Sequence, residues 1–306
     1  TISEMTDDVL SSVGSYAFCN CTSLSVVSFP AVTTISSYAF ENCRSLTNVS
    51  FPVAVTIANT AFDGCTNLES VTIGSITTIP DSLFYSCSSL KMVSMDALET
   101  FSTATFQINS TLESVYFSTM TTVISSAFSR CTSLKTVSIP SATRIGIEAF
   151  QQCTSLSIVS FPAVTTIETG AFFLCYSLAN VSFPALTRIS ATAFRQCSSL
   201  STVSFPLVSN IGANAFNGCT SLSTIWFPNL EIIYSGAFDY CSITSLYIGT
   251  NKSTVCILSG SSMFKINRGY FIPDIYVPES LVTSYRTAAG WSSMSSKIYG
   301  TSWVMP

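Results

Sequence analysis

Apolar and small polar residues follow a pattern that repeats every 22 residues along most of the chain. One repeat, Cys153–Leu174, reads CTSLSIVSFPAVTTIETGAFFL, and its places are counted from first to twenty-second, beginning at the cysteine. The seventh and ninth places are apolar and flank a small polar residue, so their side chains point to one side of a short β-strand. The proline at the tenth place ends that strand because it has no backbone N–H to donate.

The second half of each repeat returns the chain to the start of the next strand. In this repeat it carries the apolar residues Ile167, Ala171 and Phe172, and it is short for a full α-helix. We predict a 3₁₀ or irregular helical turn there. One repeat cannot bury its own apolar side chains, so successive repeats must stack. The pattern therefore predicts an α/β-type leucine-rich-repeat solenoid with a lane of parallel strands.

Cysteines set the period and the limits of the array. Ten of the twelve cysteines occupy the first place of a repeat, and Asn109 stands at the one first place that lacks cysteine. The ten are Cys21, Cys43, Cys65, Cys87, Cys131, Cys153, Cys175, Cys197, Cys219 and Cys241. The array therefore has ten full repeats at residues 21–240, with a partial repeat at each end.

The two ends depart from the full repeat. Residues 1–20 match only its second half, so no strand is predicted there, and the absence of an initial methionine and signal peptide indicates a mature or trimmed form. We predict a solenoid over residues 1–249 and a C-terminal cap over residues 250–306. Within the cap we expect a strand at Asp274–Val277 and a helix at Pro278–Ala289.

Composition and charge exclude several classes of function. Apolar residues make up 47% and charged residues 9%, so the chain is expected to fold around a large core. The net charge of −4 argues against a nucleic-acid partner. No apolar run has the length of a transmembrane segment. Histidine is absent, and the acidic residues are scattered, so we predict neither an enzyme nor a cofactor or metal site.

The regular cysteines allow three interpretations. One cysteine per coil does not converge on a tetrahedral metal site, as paired C-x-x-C motifs do. Disulfides between neighbouring coils are possible, because adjacent coils lie about 5 Å apart. We favour buried thiols that act as small apolar side chains and weak hydrogen-bond donors. Asn109 fits this interpretation, since its amide can bond to the same turn.

The recurring motif IxxxAFxxCxSLxxVxFP resembles the BspA-like class of leucine-rich repeats, over residues 1–249. This resemblance implies a leucine-rich-repeat solenoid of the kind found in surface proteins of bacteria and some protozoa, some of them implicated in adhesion. The segment IYVPESLVTSYRTAAGW resembles the capping segment that often follows such arrays. One repeat departs from the motif, with Met95 and Asp96 in place of the Phe-Pro pair, and we expect a local irregularity there.

The outward face of the strand lane is the expected place for ligand binding in a solenoid. Its eighth place holds mostly serine and threonine, but aromatic residues stand at Tyr116 and Trp226, and at Tyr247 in the shortened last repeat. We predict that these three residues bind a ligand, since exposed aromatic residues are favoured at interfaces and stack on sugars. Two alternatives are a lane of polar side chains bonded to each other and to water, and aromatic residues that cover the join with the cap.

Alternating charges mark the fifth place of four successive repeats. The residues are Glu69, Lys91, Glu113 and Lys135. Opposite charges one coil apart make favourable cross-strand pairs, so we interpret them as an aid to strand register and not as a binding site.

These observations together predict a secreted or cell-surface binding protein of adhesin-like function. Its exposed strand face would bind a host or matrix protein or a glycan. The alternative is a structural spacer of a larger surface protein, with no ligand of its own.

Overall fold

The computed structural model describes residues 3–74, 76–94, 98–102, 104–249, 253–260, 264–266 and 269–302. The chain forms two compact units, Thr1–Ala142 with Ala149–Ser160, and Thr143–Glu148 with Phe161–Pro306. The irregularity predicted at Met95 and Asp96 lies outside the described residues.

Parallel front strands, one per repeat, occupy the sixth to eighth places. Neighbouring front strands pair with an offset of one repeat, so that Val49 lies between Val27 and Val71. In the first unit they are Glu4–Thr6, Val26–Ser28, Asn48–Phe51, Ser70–Ile73, Met92–Ser94, Ser114–Tyr116, Thr136–Ser138 and Ile158–Ser160. In the second unit they are Asn180–Ser182, Thr202–Ser204, Thr224–Phe227, Ser245–Ile248, Asp274–Pro278 and Ile298–Thr301.

A second strand lane runs along the fourteenth and fifteenth places. In the first unit its strands are Ser12–Val13, Thr34–Ile35, Thr56–Ile57, Thr78–Ile79, Thr100–Phe101 and Thr122–Val123. In the second unit they are Arg144–Ile145, Thr166–Ile167, Arg188–Ile189, Asn210–Ile211, Ile232–Tyr234 and Ile257–Ser259. Most of these strands contain threonine or isoleucine, whose branched side chains favour extended backbone.

The second lane corrects the predicted α/β character of the fold. The return segment of a repeat is a short strand followed by turns, and no 3₁₀ helix is formed in the described return segments of the repeats. Tyr38 and Asn42, at the eighteenth and twenty-second places, have φ values of 59° and 56°, which a right-handed helix does not allow. Some backbone N–H groups bond to the next coil, as Phe40 N does to Ala61 O at 2.8 Å, and others to the carbonyl three residues earlier, as Cys43 N does to Phe40 O at 3.1 Å. The repeats therefore form a parallel-strand β-solenoid with few helices.

Phenylalanine columns fill the core between the two lanes. At the twentieth place, the rings of Phe40 and Phe62 stack with centroids 5.3 Å apart, and those of Phe172 and Phe194 lie 5.4 Å apart. These four side chains are fully buried. Burial of each such ring contributes roughly 1.5–3 kcal/mol, and each stacked pair adds about 0.5–1.5 kcal/mol. The fold is thus held together mainly by contacts between adjacent coils.

The first strand of the array was missed from the sequence. Glu4–Thr6 pairs with Val26–Ser28, and Met5 stands opposite Val27. Met5 therefore occupies the seventh place of the partial repeat, between two polar residues that face outward. The prediction that this strand is missing was wrong, because methionine at this place does not match the valine of the other repeats.

A row of thiol hydrogen bonds runs through the array and confirms the interpretation of the cysteines. All twelve cysteines are free thiols. The Sγ of Cys131 donates to the carbonyl oxygen of Phe106, 25 residues earlier, at 3.0 Å. Seven other first-place cysteines make the same bond at 3.0–3.2 Å. Burial raises the pKa of Cys131 to about 12, so this thiol stays protonated and keeps its donor at neutral pH.

Asn109 takes the place of a thiol in this row. Its Nδ2 donates to the carbonyl oxygen of Phe84 at 3.2 Å, as a cysteine would. Its Oδ1, however, is buried without a hydrogen-bond partner. A buried acceptor that is left unsatisfied costs about 1–3 kcal/mol.

We expect Asn109→Cys to stabilise the protein, by about 1 kcal/mol, because a thiol supplies the donor without an orphaned acceptor. The converse change, Cys131→Asn in the next repeat, should lower the free energy of unfolding by a similar amount. Urea titration of the three proteins under reducing conditions measures both effects. Shifts of the same sign for the two variants would contradict this account of the row.

The residues after 250 continue the front sheet and add the helices. Strands Asp274–Pro278 and Ile298–Thr301 pair in parallel with each other, and the former pairs with Ser245–Ile248. Between them lie a 3₁₀ helix at Glu279–Leu281, an α-helix at Val282–Thr287 and a 3₁₀ helix at Ser292–Lys297. Strand Lys265–Ile266 pairs antiparallel with strand Gly269–Tyr270. Their role as a separate cap over residues 250–306 stays a prediction.

Trp291 anchors this segment. Its side chain is fully buried, and its Nε1 donates to the carbonyl oxygen of Cys256 at 2.6 Å. The Tyr285 hydroxyl accepts a bond from the backbone N–H of Cys256 at 2.9 Å, and the two rings meet edge to face. Tyr285 and Trp291 are therefore both fixed to the backbone of one residue, Cys256.

Candidate functional site: an aromatic ladder on the front sheet

Four aromatic residues stand in one row on the outer face of the front sheet. Register places Trp226 opposite Tyr247, Tyr247 opposite Tyr276, and Tyr276 opposite Tyr299. Their ring centroids are separated by 6.1, 4.5 and 5.7 Å in that order. We call these four residues the aromatic ladder.

Strand alternation explains why these side chains face outward. Ile275 and Val277 flank Tyr276 and are fully buried, as are Leu246 and Ile248 on either side of Tyr247. Successive side chains of a strand point to opposite faces, so the residue between two buried ones faces outward. The ladder is therefore a consequence of the same pattern that builds the core.

The structure brings two of the three predicted site residues together and places the third elsewhere. The structure brings Trp226 and Tyr247 together, in the second unit, with their rings tilted by 44°. Tyr116 lies in the first unit, is 68% exposed and stands opposite Ser138, so it is not part of the ladder. Whether any of these residues binds a ligand stays a prediction.

Tyr276 and Tyr299 were missed from the sequence. Tyr276 could have been recognised, because Ile275-Tyr276-Val277 repeats the seventh to ninth places inside a predicted strand. Tyr299 had no such signal, since Gly300 follows it where an apolar residue would be expected. Only the strand pairing reveals that the row has four members.

A cleft of about 500 Å³ opens beside the ladder. It is lined by Tyr247, Tyr276, Glu279, Gly300 and residues 301–302. A side chain at Gly300 would overlap the Glu279 carboxylate, so glycine is what lets this carboxylate lie over the strand. Glu279 itself is exposed.

An ion pair borders the ladder on the front sheet. Lys297 Nζ lies 2.8 Å from Asp274 Oδ1. This contact raises the pKa of Lys297, because the nearby carboxylate favours the charged ammonium. Desolvation raises the pKa of Tyr276, and the neighbouring Tyr247 and Asp274 act in the same direction. The Tyr276 hydroxyl is therefore a neutral donor and acceptor at physiological pH.

Comparison with known proteins identifies the repeat. The profile of the BspA type leucine rich repeat region, with six copies, matches residues 4–113, 33–157 and 143–268. The chain belongs to this family. No curated protein matches its sequence.

A similar solved structure supports the leucine-rich-repeat fold. A leucine-rich repeat protein from Bacteroides ovatus superposes with a TM-score of 0.65 at 20% identity, covering 95% of this chain and 88% of that one. A leucine rich cell surface protein from Faecalibacterium prausnitzii gives a TM-score of 0.41 at 22% identity, covering 81% and 82%. The Bacteroides likeness supports the solenoid fold and nothing about ligands.

Most other outward-facing residues of the front strands in this BspA-type protein are small and polar, with Tyr116 and Ile158 as exposed exceptions. The predicted ion pairs are present, with Nζ–Oε2 distances of 3.0 Å for both Lys91–Glu69 and Lys135–Glu113. Each is solvent-exposed and contributes at most about 1 kcal/mol. Among the described residues, no cluster of three or more His, Cys, Asp or Glu residues has a metal-binding arrangement, and no helix has the length and hydropathy of a membrane span.

The stacked pair Tyr247 and Tyr276 offers ring edges and hydroxyls, more than ring faces, to a ligand. Tyr247 and Tyr276 stack nearly parallel, at an interplanar angle of 11°, so each covers one face of the other. A sugar ring prefers an open aromatic face, whereas ring edges and phenol hydroxyls suit the mixed apolar and polar surface of a protein.

Proposed function

We propose that this BspA-type protein is a secreted or cell-surface binding protein of adhesin-like function. Its ligand is a host or matrix protein or a glycan, bound on the outer face of the front sheet. Leucine-rich-repeat solenoids are typically binding or scaffold folds, which supports this class of function. The proposal includes no catalytic activity, because the sequence lacks histidine and its acidic residues are scattered.

The aromatic ladder is the observation that carries the proposal. Tyrosine and tryptophan are enriched at binding hot spots, where they combine a large apolar area with a polar tip. Four such residues in adjacent register form a continuous surface, of which Tyr299 is 39% exposed. The cleft at Glu279 adds a carboxylate at its border. Core packing does not require these outward-facing rings, so we assign them to recognition.

A structural spacer is the second candidate function. The eighth place outside the ladder is mainly serine or threonine, as in Ser182 and Ser204, and carries no charge. Short neutral side chains give a surface with little capacity for specific binding. This observation favours a spacer if the ladder has no partner.

Substitution of the ladder tests the two candidates. Immobilised extracellular-matrix proteins and a glycan array are first screened with the intact chain. We expect the chain to bind a protein ligand. The double variant Tyr247→Ala/Tyr276→Ala should lower the affinity for that ligand at least about thirtyfold, the effect of removing hot-spot residues worth about 2 kcal/mol.

Ile158→Ala is the matched control, because it removes a large, 60% exposed side chain from a front strand outside the ladder. It should leave affinity unchanged within about twofold, and circular dichroism should show that all variants are folded. Undiminished binding by the double variant would exclude the ladder. Absence of binding to every immobilised protein and glycan would favour the spacer.

A further inference from the structure

A groove of about 740 Å³ lies on the turn side of the second unit, away from the outer face of the front strands. The twenty-first, twenty-second and second places of successive repeats line it. They include Arg195 and Gln196 from one repeat, Asn217 from the next, and the tyrosines Tyr176 and Tyr240. This volume is within the range of small-molecule sites, about 300–1,000 Å³.

Gly218 opens the groove. It stands at the twenty-second place between Gln196 and Tyr240, and its φ of +80° belongs to the left-handed region. A Cβ at this position would lie 3.2 Å from the Cγ of Gln196. Gln196 and Tyr240 fill the same place in the repeats on either side. The missing side chain of Gly218 therefore leaves a gap between them.

Arg195 brings an uncompensated positive charge to the groove. Its Nε is buried and has no hydrogen-bond partner. Its guanidinium lies over the ring of Phe173, 5.4 Å from the centroid, and pairs with no carboxylate of the described residues. A planar guanidinium with unused donors binds a carboxylate through charge-assisted, often bidentate, hydrogen bonds.

Tyr176 and Tyr240 add exposed aromatic surface. They are 43% and 36% exposed. Within the described part of the chain, neither ring stacks on another aromatic ring, in contrast to Tyr247 and Tyr276 of the ladder. No aromatic ring of the described residues covers their faces, and an aromatic face is what stacks on the apolar face of a sugar ring.

We propose that this groove binds an acidic saccharide, with Arg195 pairing with the sugar carboxylate. Gln196 supplies an exposed side-chain amide, and the hydroxyl groups of Ser198 and Thr220 lie along the same groove. Donors and acceptors repeated on successive coils match the many hydroxyl groups of a saccharide. The bound sugar would lie across the turns of the solenoid.

An acidic peptide fits the groove less well. Extended peptides commonly bind by adding a strand to a free sheet edge. The backbone along this groove is already paired between coils, as in the bonds Gln196 N to Asn217 O at 2.7 Å and Gly218 N to Asp239 O at 2.8 Å. Backbone pairing with a peptide is therefore blocked, and side-chain chemistry must provide the affinity.

Isothermal titration of the full chain with matched saccharides tests the proposal. The probes are sialyllactose with its neutral counterpart lactose, and trigalacturonate with neutral galactotriose. We expect at least one acidic probe to bind at least about tenfold more tightly than its neutral counterpart, the effect of one charge-assisted contact. Binding should weaken as salt is raised.

Arg195→Gln should abolish the preference for the acidic saccharide over its neutral counterpart. Tyr240→Ala should lower the affinity for the same acidic probe. Arg188→Gln is the matched control, since Arg188 is an exposed arginine of the same repeat on the second strand lane, and it should change affinity less than about twofold. Circular dichroism verifies folding, and Tyr240→Ala provides a second readout if Arg195→Gln does not fold.

Three results would overturn the proposal. They are failure of both acidic probes to bind, unchanged affinity in Arg195→Gln, and equal Arg195-dependent binding of the peptide acetyl-Glu-Glu-Glu-amide. The Tyr247→Ala/Tyr276→Ala variant should keep its affinity for the saccharide. The groove and the ladder can therefore fail independently.

Discussion

Replacement of Phe194 by alanine is expected to lower the free energy of unfolding by about 3–5 kcal/mol, the cost of removing a fully buried aromatic side chain. Phe194 is 0% exposed. Its ring lies 5.4–6.2 Å, centroid to centroid, from four other phenylalanine rings of the second unit. These are Phe172, Phe183, Phe205 and Phe216. The variant therefore leaves a cavity where two columns of the core meet.

The loss should be strongest near the substituted coil, because a solenoid is stabilised by contacts between nearest neighbours. Hydrogen exchange should show faster opening of strands Asn180–Ser182 and Thr202–Ser204 than of strands in the first unit. Leu207→Ala, in the next repeat, is the control, since this side chain is 50% exposed and should cost much less. Equal destabilisation by the two variants, or uniform exchange along the chain, would refute the nearest-neighbour picture.

Trp291→Ala is expected to have an effect of similar size, about 3–5 kcal/mol, at the C-terminal end. It removes a fully buried ring that packs edge to face on Tyr285, with centroids 5.2 Å apart. It also removes the Nε1 donor to the carbonyl oxygen of Cys256, which is bonded at 2.6 Å. Urea titration and hydrogen exchange should place the loss in the segment that contains Cys256 and the α-helix Val282–Thr287.

Two further variants separate packing from hydrogen bonding. Trp291→Phe keeps most of the ring but removes the donor, so it should cost about 1–3 kcal/mol. Phe271→Ala is the control, because this aromatic residue of the same segment is 47% exposed. A cost for Trp291→Ala no larger than that of Phe271→Ala would show that Trp291 does not anchor the segment.

The period of the sequence is sufficient to predict much of the fold. The seventh and ninth places of each repeat identified the front strands, since an apolar residue on either side of a polar one has the period of a strand. The regular cysteines, with Asn109 as the exception, identified a buried turn position whose side chain donates one hydrogen bond. These inferences need only the alternation within one repeat and its recurrence along the chain, and both can be read from the sequence.

The second strand lane could not be predicted from alternation and repetition. Thr166–Ile167 is only two residues long, and such a pair has no alternation to recognise. Its extended conformation depends on hydrogen bonds to equivalent pairs one repeat away, such as Arg188–Ile189. The Met5 strand shows the same limit, since its register is set by pairing with Val27.

The candidate sites also have parts that the sequence predicts and parts that only the tertiary structure reveals. The sequence by itself determined the repeat, the inward and outward faces of the front strands, and the outward placement of Trp226 and Tyr247. Only the tertiary structure joined Tyr276 and Tyr299 to them, and placed Arg195 in a groove with Tyr176 and Tyr240. Alternation within a strand is a local property of the backbone. Which side chains of adjacent coils lie side by side depends instead on the pairing register, and the groove depends on the side chain that Gly218 lacks.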